Sequence, residues 1–492
     1  MKPIYNKDLF EGSYIFQEPG HYQLQENIVF HPNPDNQFQP KKDQAEKYPP
    51  QKGYVLGFFA AFVFESDDVI FDLNGFSIEC SKEFALKQRF FALIELASTP
   101  FIPKQGPANF GPHIIFVNNC GIFNGTLGLT SHHGIHGNGM KNIYMNNLLF
   151  RHYEVAGISL NGGEYIFIEN CKLCGTSTDV SMLSTYSHAK FDLSFLENIV
   201  KKDSESILKI CNGQSKSVQE IYDNVVNEIK AFENYVLLGT EYEGIFKNKT
   251  RLMDDNVYGI SLNTLGVLVN DFKPFRNEDS IGNKHIYLKN IIIESTLSNS
   301  TEIMGIFKKK EETDQDTNSY GKDEFVGPVG DVCDFGGCID ENGCYISNVI
   351  GDMQMAICKF AETDKERGTI NIPEFIVNEW LSGTHIDLRK MCNEGNDYYW
   401  IHGRDSMSHV MKGNIGLFIS QGLNVTIENC LIDGVYNLGK TQKKNSSQAI
   451  GIAIVGSENV SIKNKKIKNI RSHHGSQEKI KLINCNKNIN IK

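Results

Sequence analysis

No apolar run in this chain is long enough to cross a bilayer, and the stretch over residues 53–64 falls well short. No charged-then-apolar leader opens it, so the expectation is a protein made in the cytosol without a signal peptide. Basic charge is in the minority. The 49 Lys and Arg face 59 Asp and Glu, a formal charge of -10, and no basic run is interleaved with aromatics. This balance argues against a nucleic-acid partner. Short-spaced cysteine pairs are missing too, so the 12 cysteines read as reduced core thiols, with zinc or a disulfide framework the poorer accounts.

What the chain does contain is a pattern written four times. Gly134-Ile135-His136-Gly137 leads to Asn147, Gly157-Ile158-Ser159-Leu160 to Asn170, Gly416-Leu417-Phe418-Ile419 to Asn429, and Gly451-Ile452-Ala453-Ile454 to Asn464. In each copy the Asn lies 13 residues after the Gly, and the first two copies lie 23 residues apart. The segment before each Asn alternates apolar and polar residues, as in Tyr165-Ile166-Phe167-Ile168-Glu169-Asn170, which reads as a half-buried strand. Twenty-three residues hold two or three such strands with their turns but no crossover helix. A doubly wound sheet is therefore disfavoured, and a parallel solenoid of stacked coils is favoured.

The terminal Asn has a physical reason to recur. Asn tolerates the left-handed backbone of a tight corner, and its amide can both donate and accept along a stack of equivalent corners. Asn119, Asn290 and Asn348 look like further members, giving an Asn ladder over at least seven corners. The competing account is that Asn is simply abundant. Cys120 and Cys171, each just after such an Asn, are expected to point inward as small hydrophobes.

Pro19-Gly20-His21-Tyr22-Gln23-Leu24, then Asn27-Ile28-Val29-Phe30, then Asp72-Leu73-Asn74-Gly75-Phe76-Ser77-Ile78 resemble right-handed parallel β-helix proteins of the pectate-lyase-like superfamily. With the block Ser131-His132-His133-Gly134-Ile135-His136-Gly137-Asn138, the chain also resembles uncharacterised β-helix proteins of large DNA viruses of algae and protists. The resemblance implies an all-β fold, a single-stranded right-handed parallel β-helix with an α-helical insertion and long loops. Handedness comes from the resemblance alone, and fold is implied far more strongly than function.

Three stretches interrupt the repeat. N-terminal coils occupy residues 1–180, a mainly helical insertion residues 181–256, and C-terminal coils residues 257–492, with loop insertions over 308–335 and 361–412. In the first insertion Val218, Ile221, Tyr222, Val225, Ile229, Phe232 and Val236 share one helical face. Ser217 and Glu220 form a capping box, and a second helix is expected over 193–210. A helical hairpin packed on the solenoid and a partner-binding module both fit. The carboxylates Asp331, Asp334 and Asp340 do not match the calcium-loop spacing. Trp380, Tyr398, Tyr399, Trp400 and Arg404, beside His402, read either as a sugar-stacking surface or as the small core of their own loop.

Aligning the copies assigns directions. Ile135 and Gly137 match Ile158 and Leu160, which point inward, so His136 and Ser159 point outward as neighbours about 4.8 Å apart. Ile94-Glu95-Leu96 looks like the same strand one coil earlier and adds Glu95 to the row. Glu, His and Ser together could orient, activate and attack, and a stacked polar row is also what a solvated face looks like. His132, His133, Arg151, His152 and Glu154 stand close by in sequence, with His152 and Glu154 sharing one strand face and Arg151 on the other.

A carbohydrate-active β-helix needs an acid–base pair, or a base with a cation that neutralises a uronate. His136, His152, Glu154 and Glu95 could supply the first, a calcium ion or Arg151 the second. A divalent transition metal on His132 or His133 with His136 and His152 is a further alternative. Against these stands a structural role, in which the histidines bond to turn carbonyls. The paired Asp, Gly-His-Gly and Arg-Ile-Lys patterns of polygalacturonases, and the calcium cluster of the lyases, are not found. Two function classes remain. One is a glycan-directed binder or enzyme, of polysaccharide lyase or glycoside hydrolase type, using the face around residues 95–160. The other is a structural or host-attachment protein of a large virus particle, with other virion proteins as partners. An open last rung would favour self-association.

Overall fold

The computed structural model describes residues 1–48, 57–87, 91–100, 113–153, 155–174, 193, 196–209, 215–241, 265–270, 282–298, 338–339, 345–346, 352–353, 356, 413–437, 448–472, 476–485 and 487–492. Asn348, the Asp331 to Asp340 carboxylates, Glu154, and Trp380, Tyr398, Tyr399, Trp400 and Arg404 with their loop lie outside the described residues.

The protein is all-β, built mostly of parallel strands in two large sheets. One sheet has nine strands, running from Tyr14–Phe16 through Ala60–Phe64, Ala92–Glu95, His133–Asn138, Ala156–Asn161, Leu265–Asn270, Gly413–Ser420 and Gln448–Val455 to Gln477–Ile483. The other has sixteen strands in two columns. These merge where Asn118–Leu127 and Lys141–Phe150 each run through both. From Tyr14 onward the chain visits the nine-stranded sheet, then the first column, then the second, and begins again. The repeated Gly residues fall into one register row, Gly134 beside Gly157 and Gly416 beside Gly451. Gly266 joins them between the two pairs.

The glycines recur because the backbones approach closely there. A Cβ on Gly134 would lie 2.5 Å from the Gly157 carbonyl oxygen, and one on Gly266 would lie 2.5 Å from that of Gly416. A methyl group has no room at those distances.

The corners between the two columns are left-handed. Asn124, Asn147, Asn170, Asn290, Asn429 and Asn464 all have φ between 50° and 60°. Asn147 donates its amide to Asn124 (3.1 Å), Asn290 to Asn170 (2.7 Å), Asn429 to Asn290 (3.2 Å) and Asn464 to Asn429 (3.1 Å). Asn119 belongs elsewhere. It lies in a second left-handed row with Asp68, Asn142, Tyr165, His285, Asn424, Asn459 and Asn488, at the entry to the first column. Along that row Asn459 donates to Asn424 (3.0 Å), and the Tyr165 and His285 rings stack 4.4 Å apart. An Asn one residue before an inward position occurs at either corner, Asn119 before Cys120 as Asn170 before Cys171, which is why the pattern alone misassigned it.

Inward residues fill one apolar core, including Ile135, Ile158, Val267, Leu417 and Ile452, all fully buried. Cys120, Cys171 and Cys430 lie in it as free thiols, and burial pushes them up to about 11, 12 and 11. At such values they are inert at neutral pH.

The helix Val218–Leu238 is capped by Ser217, whose Oγ accepts from the Glu220 N–H (3.1 Å), and Val218, Ile221, Val225, Ile229 and Phe232 are buried on its inner face. The segment expected to be helical over 193–210 is helical only to residue 202. Ile207–Lys209 instead pairs antiparallel with Ser215–Ser217. Three residues of strand are too few to shift a helical period. Among the described residues no helix is long and apolar enough to cross a membrane.

Candidate functional site

The outward row read from the sequence exists in register. Val63, Glu95, His136, Ser159, Leu268, Phe418 and Ala453 follow one another across the nine-stranded sheet. It is not a solvated face. Glu95 is 1%, His136 6% and Ser159 3% exposed, and the same row is closed at Val63, Phe418 and Ala453. Part of the cover is described. Ala97 bridges Phe116 in antiparallel fashion, the Ser98 N–H donates to the Ile115 carbonyl (3.1 Å), and Asn138 Nδ2 donates to the Pro100 carbonyl (3.3 Å). Both ends of the 97–116 excursion are thereby drawn over the sheet.

Apolar residues dominate this outer face elsewhere, with Ala156, Ile415, Phe418, Ile450, Ala453 and Val455 forming a second buried cluster. Polar groups concentrate at one place. Glu95, Ser98, Thr99, Thr130, Ser131, His132, His136, Asn138, Ser159 and Asn161 are all buried. Burying so many polar groups is unfavourable unless they are paired, and the pairing is specific. His136 Nδ1 lies 2.6 Å from Glu95 Oε2, and His136 Nε2 lies 3.1 Å from Asn161 Nδ2. Asn161 Nδ2 also donates to Asn138 Oδ1 (2.9 Å). The rings of His133 and His136 stack at 5.3 Å, and those of His132 and His133 meet edge to face at 4.2 Å. Burial pushes the Glu95 carboxyl above the usual carboxylate range, and His136 acts in the opposite direction.

The structure thus gathers Glu95, His132, His133 and His136, with Ser159 in the next register position. No hydrogen bond joins Ser159 to His136 among the described residues. The partner of Nε2 is Asn161, so the relay runs Glu95, His136, Asn161. His152 sits at a left-handed position (φ 53°), where its carbonyl accepts from the Thr130 N–H (3.1 Å). Arg151 is exposed and acts electrostatically on Lys172 and Cys174 in the other sheet. Among the described residues no group of three or more His, Cys, Asp or Glu is placed to hold a metal ion.

Two features escaped the sequence reading. Asn138 and Asn161 each lie four residues after a repeat glycine, as does Asn270 after Gly266, a signal that was available. The second is aromatic. Tyr144, Phe167 and Tyr287 occupy one register row on the outer side of the first column, their rings stacked at 4.5 and 4.8 Å and within 9° of parallel. Tyr144 is 47% exposed. Asn146, Glu169 and Lys289 form the adjacent outward row.

No family model, no curated protein and no solved structure matches this chain.

Proposed function

We propose that the chain is a single-stranded right-handed parallel β-helix that binds carbohydrate. Three strand columns visited in turn, joined by two rows of left-handed corners, support the β-helix. The handedness follows from the strong preference of parallel crossovers for the right-handed path.

The observation that carries the ligand class is the outward row Tyr144, Phe167, Tyr287, in which Tyr144 is exposed and the other two rings are half-buried. The rings cover one another's faces within the stack, so Tyr144 at its exposed end offers the apolar contact to pyranose C–H groups, while the amide and charged groups of Asn146, Glu169 and Lys289 supply partners for sugar hydroxyls. Residues 95–160 therefore do not form one face: Tyr144 lies on the outer side of the sixteen-stranded sheet, and Glu95, His136 and Ser159 lie on the covered outer side of the nine-stranded sheet.

The test is a panel of neutral and acidic oligosaccharides titrated against the wild type and Tyr144→Ala. Loss of one ring contact is expected to weaken binding about tenfold, with only a small loss of thermal stability, because Tyr144 is half exposed and gives up its stack on Phe167 alone. Wild-type affinity in a Tyr144→Ala/Tyr287→Ala double variant would sink the proposal.

A further inference from the structure

The buried polar cluster contains a hydrogen-bond chain whose direction is set by its far end. The Pro100 carbonyl can only accept, so the Asn138 group 3.3 Å away is the Nδ2 amide, and Oδ1 faces Asn161. Oδ1 in turn only accepts, so Asn161 presents Nδ2 to it, at 2.9 Å. The same Nδ2 lies 3.1 Å from His136 Nε2 and spends its second hydrogen there. An Nε2 that accepts carries no proton. The imidazole is therefore neutral with its hydrogen on Nδ1, donated to Glu95 Oε2 at 2.6 Å. Both nitrogens of His136 are consumed. What remains open is the other carboxyl oxygen, Glu95 Oε1, which is buried and has no hydrogen-bond partner among the described residues.

We infer that Glu95 Oε1, rather than His136 or Ser159, is the atom of this cluster that meets a ligand, with Asn138, Asn161 and His136 as its positioning residues. The ligand group is a neutral hydroxyl, which can donate to a carboxylate oxygen, as in an uncharged sugar. This assignment of ligand class rests on the carbohydrate reading above. It follows from the company Glu95 keeps: the described buried polar residues of this stretch are hydroxyls, amides and imidazoles, which suit uncharged hydroxyl groups. Arg151, the nearest guanidinium in sequence, lies exposed beside the other sheet. The titratable groups packed against the pair are His133 and His132, and the flanking strands contribute Val63 and Ser159.

Two measurements on the full chain test the inference. In histidine-labelled protein, nitrogen NMR should show the His136 proton on Nδ1 and none on Nε2. Asn161→Asp, whose carboxylate only accepts, should move a proton to Nε2. A wild-type His136 with a proton on Nε2 overturns the chain of donors. In the second measurement, Glu95→Gln keeps the side-chain shape and should weaken binding of neutral oligosaccharides at least tenfold while the protein still unfolds in one cooperative transition well above the temperature of the titration. If Glu95→Gln binds them like wild type although Tyr144→Ala does not, the ligand assignment fails and the aromatic reading stands. An oligogalacturonate bound in preference to neutral glycans also overturns it, and so does a high-resolution map showing only an enclosed water on Oε1. If no glycan binds the wild type, the carbohydrate reading falls and takes the ligand class with it, while the tautomer result is decided on its own.

Discussion

A carboxyl group that is 1% exposed is stable in the fold only if it is neutral or well paired, and Glu95 is held between these conditions. Burial raises its pKa, and the His136 contact opposes the rise. The sign of the linkage follows. With its folded value above the unfolded one of about 4.3, Glu95 binds its proton more tightly in the native state. Its contribution is complete below the unfolded value and is lost as pH rises through the folded one. Denaturant unfolding of the wild type should therefore show stability declining on the alkaline side of the carboxylate range, and Glu95→Gln should flatten that decline. A steeper decline in Glu95→Gln would refute the assignment. Removing the acceptor altogether, in Glu95→Ala, leaves His136 Nδ1–H buried and unpaired and should cost about 1–3 kcal/mol. The corner residues make a second case. Asn290 has φ 54° and takes part in two ladder hydrogen bonds. Asn290→Gly keeps the backbone conformation and loses the bonds, whereas Asn290→Ala loses both and should be the less stable by about 1–2 kcal/mol. Equal stabilities would show that the left-handed backbone carries no strain there.

Within single elements, legibility depended on how local the signal is. The strand register was readable because Gly134, Gly157, Gly416 and Gly451 mark one contact, a carbonyl of the next strand 2.5 to 2.8 Å from where a Cβ would lie, Gly157 being closed instead by a Leu173 methyl. The same register placed Glu95, His136 and Ser159 in one row. What could not be read was the cover, because the burial of an outward side chain is decided by segments distant in sequence, such as Pro100 against Asn138. The helix Val218–Leu238 declared itself through its cap and apolar face, while the short pairing of Ile207–Lys209 with Ser215–Ser217 left no period long enough to register. The stacking of Tyr144, Phe167 and Tyr287 was hidden for a related reason: Phe167 and Tyr287 are 120 residues apart and meet only through strand pairing. A test of the glycine argument is Gly134→Ala, whose methyl would meet both the Gly157 carbonyl and the Phe150 ring, the latter at 2.7 Å. Overpacking of this kind should cost about 1–3 kcal/mol in denaturant unfolding. A neutral effect would mean that the strands can separate there without penalty.

Across the whole molecule the two edges of the stacked sheets are built differently, and this difference predicts where the fold opens first. At one edge, Lys2–Ile4 and Tyr14–Phe16 each pair with one neighbour among the described residues, yet their inward apolar groups are buried. Ile4 and Phe16 are fully buried, the short helix Asn6–Leu9 packs beside Ile28–Phe30 with Leu9 buried, and Phe16 packs against Tyr22, Phe62, Phe64 and Phe71 at centroid distances of 4.6 to 5.9 Å. At the other edge, Gln477–Ile483 and Lys487–Ile491 also pair on one side, but Leu482 is 39% and Ile491 38% exposed, and Ile480 and Ile489 are only partly buried. In a stack where each strand is held mainly by its neighbours, local stability follows the apolar area buried at that position, and opening proceeds from the least buried end. Amide hydrogen exchange followed by mass spectrometry should accordingly rank the segments. Protection should be highest in the central strands His133–Asn138, Ala156–Asn161 and Glu164–Glu169, which are paired on both sides. It should be intermediate at Tyr14–Phe16 and lowest at Gln477–Ile483 and Lys487–Ile491. Equal protection at the two edges would mean that the aromatic cluster around Phe16 adds nothing to the stability of the strands it covers.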